Sequence, residues 1–217
     1  MKATIEHHAV LYALLVKHAC AVLGEREGRS VMGRATYAYG VQRGDRMAVH
    51  AEAHHDPKDM NSYFIYGEWK GEPGENISSM RYTDSASIST VTKCAWYDAW
   101  KKHGLLKEGT LYCHYVDDGL AKGFDGSFAL NVEKAIGKGD DCCIFHWNEA
   151  ADPDYVAKRK EADAGKWILP FSFHCEELLD SVRMILSIEA KDSCDAIVQA
   201  ALQEFHEIFP EEVSDEA

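Results

Sequence analysis

Residues 128–147 read FALNVEKAIGKGDDCCIFHW. Phe128, Leu130 and Val132 alternate with smaller or polar neighbours, and Cys143, Phe145 and Trp147 alternate in the same way. A period of two sends successive side chains to opposite faces of an extended chain, so each run reads as a strand with one apolar face. Gly137-Lys138-Gly139-Asp140 between them carries the residues that reverse a chain. The stretch therefore predicts an antiparallel hairpin laid against a core.

The same period continues upstream. Ile77 to Tyr82 and Ser87 to Thr92 are rich in β-branched and aromatic residues, as is Tyr63-Phe64-Ile65-Tyr66, and Glu72-Pro73-Gly74 marks a turn. All three are expected to be strands. Around them the period lengthens. Ile5, Ala9, Tyr12, Val16, Ala19 and Leu23 lie on one helical stripe that Gly24 ends. A second helix is expected from Ser30, as N-cap, to His54, before Asp56-Pro57. Shorter helices are expected over Ala95–His103 and Leu111–Lys122, closed by Gly104 and Gly123. Two long ones follow over Ser172–Ala190 and Asp192–Phe209. An antiparallel sheet flanked by long N- and C-terminal helices is an α+β architecture. Residues 1–210 are expected to form one domain, with 211–217 an acidic tail.

Composition narrows the function. Of 217 residues, 46% are apolar and 27% charged, the usage of a globular chain with a core of its own. A formal charge of −13 would repel a phosphate backbone, so nucleic acid is a poor partner. The basic run Lys158-Arg159-Lys160 reads as a solvated helix face. The apolar stretch Ala9–Val16 is too short to cross a bilayer, so no membrane partner is expected. Seven cysteines, an odd number, argue against a disulfide framework and for the cytoplasm. A homo-oligomer stays open.

Chemistry-bearing residues collect in the middle of the chain. Cys113 and Asp117 are four apart on an expected helix and would leave one face of it. Cys143 shares a strand face with Phe145 and Trp147, Cys94 stands at a strand-to-helix junction, and His174 falls in the first turn of the penultimate helix. A thiol with a base and an orienting carboxylate can act as a nucleophile. The same residues, Cys113, Cys143, His174 and Asp117, could instead hold zinc and its attacking water. Taken singly, each cysteine is more often a small buried hydrophobe. On the second helix, Arg43 and Arg46 follow Tyr39 on one stripe, suiting a small carboxylate, although solvated or salt-bridged arginines are the more ordinary reading. Gly40 and Gly44 beside them would let a helix or a ligand approach closely. Trp96, Tyr97, Trp100 and Tyr112 read first as core aromatics.

Several short motifs, in order, resemble the L-2-amino-thiazoline-4-carboxylic acid hydrolase family. They are His7-His8-Ala9-Val10-Leu11-Tyr12-Ala13, Tyr39-Gly40 with Arg43-Gly44-Asp45-Arg46-Met47-Ala48, and Cys94-Ala95-Trp96-Tyr97-Asp98-Ala99-Trp100. Tyr112-Cys113-His114-Tyr115-Val116-Asp117, Gly123-Phe124, Gly139-Asp140 with Cys143, and Phe173-His174-Cys175 complete the set, which spans about residues 6–209. The chain departs at Ala95, where the family tends to have proline, and at Glu177, where a second histidine often follows.

The resemblance implies a bacterial hydrolase that opens the ring of 2-amino-thiazoline-4-carboxylate on the way to cysteine. It would use Cys113, Asp117, His174 and Cys143 for chemistry, and Arg43, Arg46, Tyr39 and Trp96 for the substrate. Leu111–Trp147 is also similar, more weakly, to small-molecule-binding domains of the vinyl reductase type. Their fold is TRAPP-like and often carries a cysteine-bound zinc, but the full set of zinc cysteines is not apparent here. That likeness keeps a non-catalytic, small-molecule-sensing module as the alternative.

Overall fold

The computed structural model describes residues 2–210; the acidic tail read at 211–217 lies outside the described residues. Helix α1 (Ile5–Leu23) is buried continuously from His8 to Val16. The sequence suggested a one-sided helix, but α1 is the central rod of the helical layer, so its small and apolar residues are covered on every side. Gly24, at φ +85°, lets the chain turn into α2 (Glu25–Ala53) within one residue. Helix α2 therefore starts earlier than Ser30 and runs 29 residues, about 44 Å at 1.5 Å per residue.

That length lets α2 serve two cores. Its first half places Val31, Met32, Ala35 and Tyr39 against α1 and the C-terminal helix α8 (Phe171–Glu189), while the last helix, α9 (Cys194–Ile208), packs on α1 in the same core. Its second half places Met47, Ala48 and Ala51 in a cluster with Met60, Tyr63, Tyr66, Phe124, Phe128, Trp147 and Trp167. Helix α7 (Pro153–Asp163) caps this second cluster through Val156 and leaves Lys158 and Lys160 exposed, as the sequence suggested.

Two local expectations are overturned. Tyr63–Tyr66 is not a strand but belongs to helix α3 (Met60–Ile65) and its C-cap. The Asp59 carboxylate accepts from the Ser62 amide at 2.9 Å, and this cap together with burial of Met60, Tyr63 and Ile65 outweighs β-propensity. The expected helix 111–122 is split: after the short helix α5 (Leu106–Gly109), a 3-10 turn over Tyr112–His114 ends at Tyr115 (φ −131°), and α6 begins anew at Val116–Phe124.

The sheet is antiparallel in the order β1-β2-β4-β3, with β1 Ile77–Tyr82, β2 Ser87–Lys93, β3 Leu130–Lys134 and β4 Cys143–Trp147. The hairpin read from residues 128–147 is present as β3 and β4, with Val132 opposite Phe145 and Leu130 opposite Trp147. Pairing of Val91 with Cys143 and Ser89 with Phe145 continues the same face onto β2. That face looks toward α6 and toward α4 (Ala95–Lys102), the helix that follows β2.

Helices α2 and α6 cross backbone to backbone. A side chain added at Gly40 would meet the Val116 carbonyl oxygen at 2.6 Å, and one at Gly119 the Tyr37 carbonyl oxygen at 2.5 Å. Gly44 and Gly123 are similarly closed in by Leu120, Phe124 and Val41. The glycines read in the sequence as a place of close approach thus seat α6.

Candidate functional site

Because α6 lies so close to α2, the polar residues of both helices face one space. It is a cavity of about 260 Å³ between the inner face of the sheet and the helices. Helix α2 supplies Arg43; the segment after α3 supplies Trp69; β2, β3 and β4 supply Val91, Val132, Cys143 and Phe145. The start of α4 supplies Cys94 and Trp96, the 3-10 turn Tyr112 and Cys113, and α6 Asp117. Cys113 and Asp117 therefore meet the same space although they are on different helical elements.

Asp117 is half-buried, with its free surface turned to the cavity, and no hydrogen bond from the described residues reaches its carboxylate. Burial raises its pKa to about 6, against the pull of Arg43 and Lys138. At neutral pH it is an ionised, unpartnered carboxylate close to its titration point, the condition of a group that gives and takes protons.

The thiols behave differently. Cys113 is pushed well above the ordinary thiol range by burial and by the Asp117 charge. Cys143 is raised by burial, although the Ile136 amide donates to its Sγ at 3.3 Å, and burial raises Cys94 to about 11. All three are neutral thiols at pH 7, and none has a cation beside it to favour the thiolate.

Arg43 is 3% exposed, and its guanidinium lies 3.7 Å from the ring centroid of Trp69. Among the described residues only its Nε is engaged, donating to Glu68 Oε2 at 3.4 Å, and the terminal nitrogens make no hydrogen bond. Arg46 is committed elsewhere. It donates to Glu68 Oε1 at 2.5 Å and Oε2 at 3.0 Å, and to Glu177 Oε1 at 2.6 Å. Glu177, the position of departure from the family pattern, thus closes an ion-pair chain.

The remaining expected residues sit behind the cavity wall. Tyr39 is fully buried and hydrogen-bonded to His8 at 3.1 Å. His174 is fully buried on α8, edge-on to Trp69 at 5.6 Å, and neither ring nitrogen has a hydrogen-bond partner among the described residues. Burial, with Arg43 nearby, depresses its pKa to about 2, so it is a neutral imidazole. The structure brings Cys113, Asp117, Cys143, Arg43 and Trp96 to one cavity and leaves His174, Tyr39 and Arg46 outside its lining.

For zinc, no group of three or more His, Cys, Asp or Glu with metal-holding geometry forms among the described residues. The described residues do not fit a zinc centre. Glu68 and Trp69 went unread in the sequence. They lie in a segment of no periodicity, and only a tryptophan beside an isolated acid hinted at them.

The fold and the site define an α+β protein with a largely apolar cavity that, among the described residues, holds one guanidinium, one unpartnered carboxylate and three neutral thiols. Residues 2–147 match the family model of L-2-amino-thiazoline-4-carboxylic acid hydrolase, and the chain belongs to that family. No curated protein and no solved structure matches the chain. The family's name indicates a hydrolase. No described helix is long and apolar enough to cross a membrane.

Proposed function

We propose that this protein hydrolyses a cyclic amidine-like C–N bond in a small carboxylated heterocycle such as 2-amino-thiazoline-4-carboxylate. The observation that carries this is Asp117, unpartnered and near its titration point, in the same cavity as the free end of Arg43. About 260 Å³ holds a five-membered ring with room for one water, whose share of liquid volume is about 30 Å³.

Arg43 would clamp the carboxylate through its two terminal nitrogens. The ring carbon between nitrogen and sulfur is the electrophile. Asp117 takes a proton from water as the water oxygen bonds to that carbon. The adduct's hydroxyl then closes to a carbonyl as the ring C–N bond breaks; Asp117 returns the first proton to the leaving nitrogen, and the hydroxyl proton passes to the same nitrogen, which leaves as the amine. One water is added, and the product is an amino acid carrying a carbamoyl group on sulfur. Cys113 and Cys143 border the reacting carbon as neutral thiols. Water is favoured as nucleophile over Cys113 because no cation is present to form the thiolate. His174 keeps Trp69, and through it Arg43, in place from behind.

The test is turnover of 2-amino-thiazoline-4-carboxylate by the wild-type protein, Asp117→Asn and Cys113→Ala. Expected is loss of at least about 10²-fold in the aspartate variant, the usual worth of a general acid–base group, with activity largely kept in the cysteine variant. Loss in Cys113→Ala, with a covalent adduct on the wild-type protein by mass spectrometry, would replace water with the thiol. Binding without turnover in the wild type would make the cavity a sensing site.

A further inference from the structure

His8 has no place in that chemistry, yet it is fully buried at the centre of the aromatic wall. Its ring lies 5.7 to 5.8 Å from those of Trp69, Tyr39 and Tyr112. The Trp96 indole N–H donates to His8 Nδ1 at 3.1 Å, and His8 Nε2 lies 3.1 Å from the Tyr39 hydroxyl. An indole nitrogen can only donate, so Nδ1 carries no proton and Nε2–H donates to the Tyr39 oxygen.

Both partners of His8 lead to the same guanidinium. Trp96 stacks on Trp69 at 4.5 Å and 20°, and the Arg43 guanidinium covers Trp69 at 3.7 Å. Tyr39 supports the guanidinium from another side at 5.6 Å. Glu68 holds only Nε, through a bond of 3.4 Å. The angle at which Arg43 meets the cavity is therefore set chiefly by aromatic faces, and two of the rings in that set, Trp96 and Tyr39, are hydrogen-bonded to the His8 imidazole.

We infer that His8 is a positioning residue for anion recognition: through Trp96–Trp69 and through Tyr39 it aims the Arg43 guanidinium at a ligand carboxylate. This rests on the reading of Arg43 as the carboxylate clamp. A residue that merely fills the core would affect every ligand of the cavity alike. A positioning residue affects the charged ligand selectively.

Two probes of the same shape separate these cases: thiazole-4-carboxylate and its neutral carboxamide, with Kd measured by calorimetry on the wild-type protein and variants. His8→Leu keeps apolar bulk and removes both hydrogen bonds. It is expected to weaken the carboxylate about tenfold, the worth of about 1.4 kcal/mol, and the carboxamide less than about twofold. His8→Asn can present an oxygen near the Nδ1 position to Trp96, and His8→Gln can reach the Nε2 position and donate to Tyr39. Each is expected to recover part of the loss. Should His8→Leu not fold, these two variants and Trp96→Phe carry the comparison.

Arg43→Gln is the control. If it abolishes the preference for carboxylate while the His8 variants leave that preference intact, the clamp stands and the role given to His8 is overturned. If Arg43→Gln leaves the preference unchanged, or the wild-type protein binds neither probe, the clamp falls and the role of His8 with it. Equal weakening of both probes in the His8 variants would also overturn the inference, reducing His8 to a packing residue.

Discussion

Replacing Gly44 by alanine tests whether the crossing of α2 and α6 builds the site. In an unconstrained helix interior the change stabilises by about 1 kcal/mol, because alanine has less backbone freedom to lose. At this crossing the added methyl would sit 2.5 Å from the Phe124 amide nitrogen, 2.8 Å from the Gly123 carbonyl carbon, and closer still to the Leu120 carbonyl oxygen. These are backbone atoms of a helix and cannot swing aside. Restoring contacts of about 3.5 Å requires α6 to retreat by about 1 Å.

Overpacking of this kind costs about 1–3 kcal/mol and sometimes more, so the net loss is expected to be about 2 kcal/mol despite the better helix former. Urea unfolding would register it as a midpoint lowered by about 1 M for a slope of about 2 kcal/mol/M. Asp45→Ala, at the exposed neighbouring position, is the control and should be neutral or slightly stabilising. Since α2 carries Arg43 and α6 carries Asp117, a retreat of about 1 Å should also cut turnover about 10²-fold in whatever Gly44→Ala protein folds. A variant as stable as the wild type, with unchanged turnover, would refute the reasoning.

Other expectations follow from the same geometry. A buried carboxyl with pKa about 6 holds its proton more tightly than the unfolded chain, whose aspartate titrates near about 3.9. Its contribution to stability is therefore full below about pH 4 and lost as pH rises through 6. Asp117→Asn should stabilise the protein by about 1–2 kcal/mol at pH 8, allowing for the partial exposure of the carboxyl, and change nothing at pH 3.5, as read by denaturant unfolding at each pH. In the wild type, kcat/KM should rise with pH through about 6, and this limb should vanish from any residual activity of Asp117→Asn. Glu68→Ala removes the acid that pairs with both Arg43 and Arg46 and leaves a buried guanidinium without its counter-charge; a loss of about 3–5 kcal/mol by urea titration is expected. Asp59→Ala should cost about 1 kcal/mol by the same titration, through loss of the α3 cap.

Periodicity in the chain was enough to determine the α+β class, the long terminal helices and the β3–β4 hairpin. Each is written as a local pattern: a period near 3.6 for a helix stripe, a period of two for a strand face, and glycines where the chain turns. The short motifs were likewise enough to point to the family that residues 2–147 match. Where local pattern competed with a cap and a core, it misled: Tyr63–Tyr66 has strand composition, but Asp59 and the second cluster draw it into a helix.

The site was legible only in part, and for a related reason. Residue type marked Cys113, Asp117, Cys143 and Arg43 as chemistry-bearing, but whether they share a cavity depends on the α2–α6 crossing, and separation in sequence says nothing about it. Arg43 and Arg46 look equivalent on one stripe. Glu68, about twenty residues away, and Glu177, on another helix, engage Arg46 and leave the end of Arg43 free. His174 reads as a catalyst by type, yet α8 places it behind Trp69, and His8, near the start of α1, becomes the hub of the aromatic wall. Local interactions determine what each segment becomes. Long-range packing and charge pairing decide which side chains meet, and those contacts exist only in the folded chain.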